Sequence, residues 1–214
     1  DIVRGADSSS AGSGALGGVV DVKTLSPGDL LTDGRGFGAL LKGGYSSVDR
    51  SWLTSAAIAS QIAPRTQLLL QAGIQTGHEQ ANRGQVGGYG LSRTQPDPDN
   101  YLQQNYQLKL LQKFEDGHSL GLSGSFFNRQ DNIQNLSASP QIYVKDASQL
   151  ANTSQRESLA IDYGWKADNS RALFDTVDAQ IYLQRVELFN NFDSVRRTTP
   201  VGDFSRHNSL SDST

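Results

Sequence analysis

The sequence predicts an all-β fold, an antiparallel transmembrane β-barrel, and three observations lead to this expectation. Seven segments of about ten or more residues alternate apolar and polar side chains with period two. Soluble sheets usually use strands of about five or six residues, whereas a tilted membrane strand needs about 9 to 11. The connections alternate between tight turns and long loops, as they do in bacterial outer-membrane barrels.

The first three segments carry this alternation, and in the third the apolar and amide side chains separate onto two faces. In the third segment Leu70 and Ile74 share one face and Gln71 and Gln75 share the other, because side chains alternate along a strand. Such a strand can meet lipid on one side and water on the other. The three segments lie at residues 36–47, 51–62 and 66–77.

Four further segments repeat this alternation. In the fourth, Leu108 is opposed by Gln107, and in the sixth Ile161 is opposed by Asp162. The seventh sets Ile181 against neighbouring amides, and we expect an eighth strand to begin after it. The four segments lie at residues 101–114, 118–129, 158–166 and 177–184.

The lengths of the connections sort the strand ends into two groups. The turn at residues 48–50 is the one short connection expected on the long-loop side. The other short connections are expected at residues 63–65, 115–117 and 167–171, and the long ones at residues 78–100, 130–154 and 188–208.

A soluble antiparallel sandwich or barrel is the main alternative, since its strands also alternate apolar and polar residues. Strand length and the placement of aromatic residues favour the membrane barrel. Trp52 and Phe126 fall toward the long-loop ends of their segments, and Phe114 and Trp165 toward the short-turn ends. Outer-membrane barrels carry aromatic girdles at both of these levels.

Composition excludes several classes of function. The chain has 214 residues, no Cys and a formal net charge of −3, so it offers neither a thiolate metal site nor a basic field for nucleic acid. It contains no Met and opens on "DIVRGAD", so we expect a piece of a longer protein. No Ser lies in a G-x-S-x-G context with a plausible His and acid, and no carboxylate pair suggests acid–base work, so an enzyme is not expected.

A glycine-rich stretch, "GSGALG" at residues 12–17, matches the dinucleotide-binding pattern G-x-G-x-x-G. That pattern binds pyrophosphate only when a helix follows it. Here "GVVDVKT" follows with strand periodicity, so the match does not predict a nucleotide site. Tight turns and close backbone approach are the better explanation for these glycines.

Taken together, "DIVRGADSSSAGSGALGGVVDVKT" and the strand array after it resemble the end of the plug domain and the start of the barrel in TonB-dependent outer-membrane receptors. The continuation "TLSPGDLLTDGRGFGALLKGG" resembles the branch that takes haem from haemoglobin and is grouped with transferrin and lactoferrin receptors. The resemblance implies that residues 1–33 end the plug and that residues 34–214 begin a barrel of about 22 strands.

The same resemblance implies several partners and sites. The outer membrane and its lipid would surround the barrel, and TonB would bind a segment preceding this sequence. Haem would be transported cargo rather than a bound cofactor, and no metal site is expected. The plug–barrel interface would include Arg4, Gly5, Gly14, Gly17 and Gly18.

Residues in the expected long loops are the candidates for contact with a ligand. Arg pairs with carboxylates through two hydrogen bonds, and Tyr offers rigid amphipathic area for protein recognition. The string "PDPD" lacks the spacing of a calcium loop, so calcium is not favoured. The candidates are His78, Tyr89, Arg93, Tyr143, Arg196 and Arg197.

The sequence therefore supports an outer-membrane active transporter for an iron source, with haem or a haemoprotein as the leading ligand. A receptor for a siderophore or another scarce nutrient is the first alternative. A passive porin or adhesin is the second, although neither needs the glycine-rich plug segment.

Overall fold

A computed structural model describes residues 2–4, 18–20, 24–32, 34–167 and 174–213. The first two described stretches form a small antiparallel pair, β1 (Ile2–Arg4) and β2 (Gly18–Val20), and one helical turn, α1 (Pro27–Leu30), follows. No helix in these ranges is long and apolar enough to cross a membrane. Eight longer strands complete the fold: β3 (Phe37–Ser46), β4 (Ser51–Ala63), β5 (Thr66–His78), β6 (Asp99–Lys113), β7 (His118–Gln134), β8 (Gln149–Lys166), β9 (Thr176–Arg196) and β10 (Gly202–Ser213).

These eight strands form one antiparallel sheet in which each strand pairs with its neighbours in sequence. The prediction of an all-β antiparallel fold is therefore confirmed. Within the described residues the sheet is open, with β3 at one edge and β10 at the other. The strands lengthen from 10 residues in β3 to 21 in β9, well beyond the usual length in soluble sheets.

The two faces of the sheet differ as the alternation predicts. Residues 24–31 pack against one of them, which we call the inner face; the other is the outer face. Direct cross-strand pairing keeps side chains on the same face in rows. One outer row contains Ile58, Leu70, Leu108, Gly124, Leu159 and Leu183, and the adjacent inner row contains Ala57, Gln71, Gln107, Ser125, Ser158 and Gln184.

No other part of the described chain covers the apolar side chains of the outer face. Leu41, Ile181 and Leu183 are 75%, 73% and 62% exposed. Trp52 stacks 4.8 Å from Tyr45 near one end of the sheet, on this same face. A continuous apolar face of this kind needs a covering partner, because soluble surfaces rarely leave such patches open.

The apolar side chains of the outer face form a belt across the sheet. In β6 to β9 this belt ends sharply on the side that faces the connections after β5, β7 and β9, which we call its upper limit. Its last row contains Tyr106, Phe126, Glu157 and Arg185, and the next outer row is Gln104, Asn128, Gln155 and Glu187. The strands continue beyond it with a mostly polar outer face, which includes Leu102 and Phe189, and with an inner face that mixes polar and apolar side chains.

These extensions correct the predicted connections. The long loop expected at residues 188–208 is wrong, because β9 runs to Arg196, β10 begins at Gly202 and only residues 197–201 connect them. The other two long connections shorten to residues 79–98 and 135–148. Polar and apolar residues do not alternate strictly in these extensions, which hides the period-two signal, although the backbone hydrogen bonding of the ladder continues.

Near the other end of the sheet, residues 24–31 form a small core with the inner face. Pro27 begins α1, and the Asp29 carboxylate accepts a hydrogen bond from the Ser26 N–H at 2.7 Å. The sequence did not predict this helical turn. The packed apolar side chains are Leu25, Leu30, Leu31 and Leu40 against Ala57, Ala59 and Leu69.

Close approach of α1 to β3 requires glycine at position 38. A Cβ atom there would lie 2.2 Å from the Leu30 carbonyl oxygen, a backbone atom that cannot swing away. We expect Gly38→Val to detach residues 24–31 from the inner face of the sheet and to lower the free energy of unfolding by about 1–3 kcal/mol, the usual cost of overpacking. Urea unfolding in lipid vesicles measures this. Gly44→Val on the same strand is the control, because a Cβ atom at position 44 meets no atom within 4 Å. Equal losses of stability in both variants would contradict the packing described.

Candidate functional site at the loop edge

Three connections and one turn meet at the same ends of the strands. We call this side of the sheet the loop edge; it is distinct from the lateral edges formed by β3 and β10. The four segments are residues 47–50, 79–98, 135–148 and 197–201. Because the strands are antiparallel and consecutive, these alternate connections must lie on the same side. The opposite edge carries the shorter turns after β4 and β6 and the connection from Lys166 to Thr176.

A polar network ties the β3–β4 turn to the neighbouring strands. The Tyr101 hydroxyl donates to the Asp49 carboxylate at 2.6 Å and accepts from the Gln75 amide at 3.0 Å. Arg50 forms an ion pair with Glu79, whose carboxylate also accepts the Asp99 N–H at 3.1 Å. The turn is therefore held to both β5 and β6.

Tyr101 is 6% exposed and packs directly over Gly77, where a Cβ atom would be 2.6 Å from the ring. The Arg129 guanidinium lies 4.1 Å from the centre of the same ring and hydrogen-bonds to Asp131. Sequence reasoning missed Tyr101. Its signal was a Tyr on the polar face of a strand, in register with a glycine on the next strand.

Hydrogen bonding shifts the acidity of the turn. The Tyr101 hydroxyl, followed by the Ser46 and Ser51 hydroxyls, holds the pKa of the Asp49 carboxyl far below its usual range. Burial raises the pKa of Glu79, but the Asp99 N–H and the Arg50 charge outweigh it and leave a net lowering. Both carboxyls are therefore ionised at neutral pH.

We expect Tyr101→Phe to raise the pKa of Asp49 toward its ordinary value of about 4. Because the pKa of Asp49 is lower in the folded state than in the unfolded chain, its stabilising effect is complete above the unfolded-state value and is lost as the pH falls through the folded-state value. In the variant the folded-state pKa of Asp49 lies closer to the unfolded-state value, so this contribution to stability is smaller and its loss is complete at a higher pH. Carbon-13 NMR titration of the Asp49 carboxyl measures the shift, with Tyr106→Phe on the outer face as the control; an unchanged titration in Tyr101→Phe would refute the assignment.

The connection at residues 79–98 is folded around Arg93. This guanidinium donates to the carbonyl oxygens of Gly88 at 2.9 Å and Pro96 at 2.7 Å, and it forms a 3.1 Å ion pair with Asp97. The side chain of Arg93 is only 8% exposed. Arg93 is one of the predicted ligand contacts, but in the structure its guanidinium stabilises its own loop.

Contacts between loops make one continuous surface of the two long connections. The Tyr89 hydroxyl donates to Asp146 at 2.6 Å, which raises the pKa of Tyr89. Lys145 lies 5.1 Å from the Tyr89 ring centre, and the Ser137 hydroxyl donates to Asp97 at 2.7 Å. The loops therefore present a shaped surface rather than independent chains.

The other candidates fall at different places on this edge. Tyr143 and Arg196 form an antiparallel bridge, and Arg197 donates to the Pro140 carbonyl at 3.3 Å. His78 ends β5, and its backbone N–H donates to the Asp49 carbonyl at 2.9 Å. The structure brings Tyr143, Arg196 and Arg197 together and leaves His78 beside the β3–β4 turn.

Of the proposed plug–barrel residues, Arg4 and Gly18 pair in the β1–β2 ladder, and only their backbone is described. Gly5, Gly14 and Gly17 lie outside the described residues. The described inner face is polar just before α1, since Lys109 donates to the Thr24 hydroxyl at 2.7 Å and Gln107 does so at 3.1 Å. An open cavity of about 690 Å³ adjoins these residues and reaches Asp162 and Gln180.

Comparison with known proteins gives partial similarities. No protein-family model matches the chain. Transferrin-binding protein A of Neisseria meningitidis serogroup B (strain ATCC BAA-335 / MC58) is 36% identical over 105 residues, which cover 47% of this chain and 11% of that protein. Lactoferrin-binding protein A of the same strain is 32% identical over 112 residues, which cover 51% of this chain and 11% of that protein.

Hemoglobin-haptoglobin utilization protein B of Neisseria meningitidis serogroup C is 28% identical over 146 residues, which cover 56% of this chain and 18% of that protein. The chain thus spans about a tenth to a fifth of the length of these curated relatives. These relatives are named for transferrin binding, lactoferrin binding and hemoglobin-haptoglobin utilization.

Proposed function

We propose that this chain is the end of the plug and the first part of the barrel of a TonB-dependent outer-membrane receptor that takes iron from a host iron-carrying protein. One observation carries the proposal: a two-faced antiparallel sheet with an uncovered apolar belt, polar inner wall and interlocked loops at one edge. Lipid is the natural cover for such a belt, and water or a plug for the inner wall.

The partial similarities support the choice of ligand. The relatives are named for transferrin, lactoferrin and haemoglobin–haptoglobin. Within this group we propose haem, delivered free or by a haemoprotein, as the cargo. The inner-face residues 24–31 then belong to the passage from plug to barrel, and their contacts with Lys109 and Gln107 would be among those that plug movement has to break.

Growth on defined iron sources tests the proposal. Cells that depend on the full-length receptor should grow on haem or haemoglobin as sole iron source and should lose this growth when TonB is deleted. Growth on transferrin or lactoferrin but not on haem would remove the haem assignment. Growth on a ferric siderophore alone would remove the host-protein assignment, and growth without TonB would refute active transport.

A further inference from the structure

Three aromatic rings form a cluster on the inner face at the loop edge. Tyr143 lies 5.6 Å from Phe192 with the rings nearly perpendicular, at 82°. Phe204 lies 6.0 Å from Phe192 and 6.4 Å from Tyr143. These are the separations at which aromatic rings attract one another edge to face.

Two arginines flank the rings. The Arg196 guanidinium lies 5.5 Å from the centre of the Phe204 ring, and Arg206 is exposed and pairs in register with Phe192. Within the described part of the chain neither arginine has a carboxylate within ion-pair distance. The Nε atom of Arg196 is buried without a hydrogen-bond partner among those residues. We call these five residues the mouth cluster.

The position of the mouth cluster relative to the apolar belt decides what can reach it. Arg185 marks the upper limit of the belt on β9, and Arg196 lies 11 residues further along the same strand. At about 3.4 Å per residue this is about 37 Å along the strand. In the proposed receptor Arg196 therefore lies well beyond the lipid, at the loop edge of the sheet, where an incoming macromolecule arrives first.

We propose that the mouth cluster docks an acidic segment of the iron-carrying host protein, an inference that rests on the proposed function. Two arginines without carboxylate partners in the described structure supply charge complementarity, and they pair best with carboxylates of the partner. Tyr, Phe and Arg around a half-buried centre are the composition of a protein-binding hot spot. A protein fits better than a small carboxylate ligand because the cluster lies open on the wall, beside Val201, which is 73% exposed.

Binding to the full-length receptor on whole cells tests this docking site. The probes are haemoglobin, haemoglobin–haptoglobin, transferrin and lactoferrin, with free haemin as the small carboxylate. Arg196→Gln and Arg206→Gln should each weaken capture of the bound protein about thirtyfold, the loss at which an interface residue counts as a hot spot, and should reduce its salt dependence. Arg206→Lys keeps the charge without the bidentate geometry, so its affinity for the protein should lie between those of the unmodified receptor and of Arg206→Gln. Arg65→Gln, at the opposite edge, removes the same charge and should have no effect.

Each other outcome is decisive. If the unmodified receptor binds one of the proteins and the two Gln variants bind it equally well at equal surface amounts, the docking site is refuted while the proposed function stands. Weaker uptake of haemin with unchanged protein capture would refute it in favour of a small-carboxylate site. If the unmodified receptor binds none of the four proteins, both the proposed function and the docking site fail.

Discussion

Arginine at an outer-face position of the belt is expected to destabilise the folded protein by about 2–4 kcal/mol, the cost of placing that charge at the bilayer midplane in a β-barrel. The positions are Leu70, Leu108, Ile161 and Ile181, which are 40%, 42%, 46% and 73% exposed and face away from the inner wall. Their exposure excludes a packing explanation, because no other part of the described chain covers them. The loss must then come from lipid.

The neighbouring inner-face positions provide matched controls. Gln71 follows Leu70 and Gln107 precedes Leu108 by one residue, so each faces the opposite side of the same strand, and Asp162 and Gln180 pair with each other next to Ile161 and Ile181. Arginine at these four sites should cost far less, because the inner wall is polar. Unfolding in lipid vesicles gives the comparison. Equal losses on the two faces would show that the faces are assigned wrongly or that lipid does not cover the belt.

Strand type and face were predictable from the sequence because the belt has a strict period of two. In β5 every second residue from Leu68 to Ile74 is apolar on the outer face, and register follows from keeping these side chains together. The ends of the strands were not predictable. Above the belt, β9 carries "FNNFDSVR", in which apolar and polar residues do not alternate, so no periodic signal distinguishes that extension from a loop.

The candidate site was predictable only as a set of loops. Tyr89, Tyr143 and Arg196 were identified by residue type, but their partners come from other connections distant in sequence. Tyr89 bonds to Asp146, 57 residues away, and Tyr101 bonds to Asp49, 52 residues away. Such pairs depend on which loops share an edge, and this follows from topology rather than from local sequence. Phe192 and Phe204 were missed for a related reason, since both lay inside a segment predicted to be a loop.

The β6 strand offers a direct test of whether this sheet crosses a membrane. The chain has no Cys, so a single replacement adds the only thiol between residues 1 and 214. A nitroxide label attached there reports its surroundings through relaxation by dissolved oxygen, which concentrates in lipid, and by a water-soluble nickel chelate. Alternate residues on β6 face opposite sides, so the two signals must alternate if lipid covers one face.

In the full-length receptor in lipid vesicles, labels at Tyr106, Leu108 and Leu110 should be accessible to oxygen and protected from the nickel chelate. Labels at Gln107 and Lys109 should show the reverse or, where residues 24–31 cover them, protection from both reagents. Above the belt, a label at Gln104 should regain accessibility to nickel although it lies on the outer face. This pattern would establish the sheet as a membrane wall with its loop edge in water. Equal nickel accessibility at Leu108 and Gln104 would contradict the account and would assign the chain to a soluble β-protein.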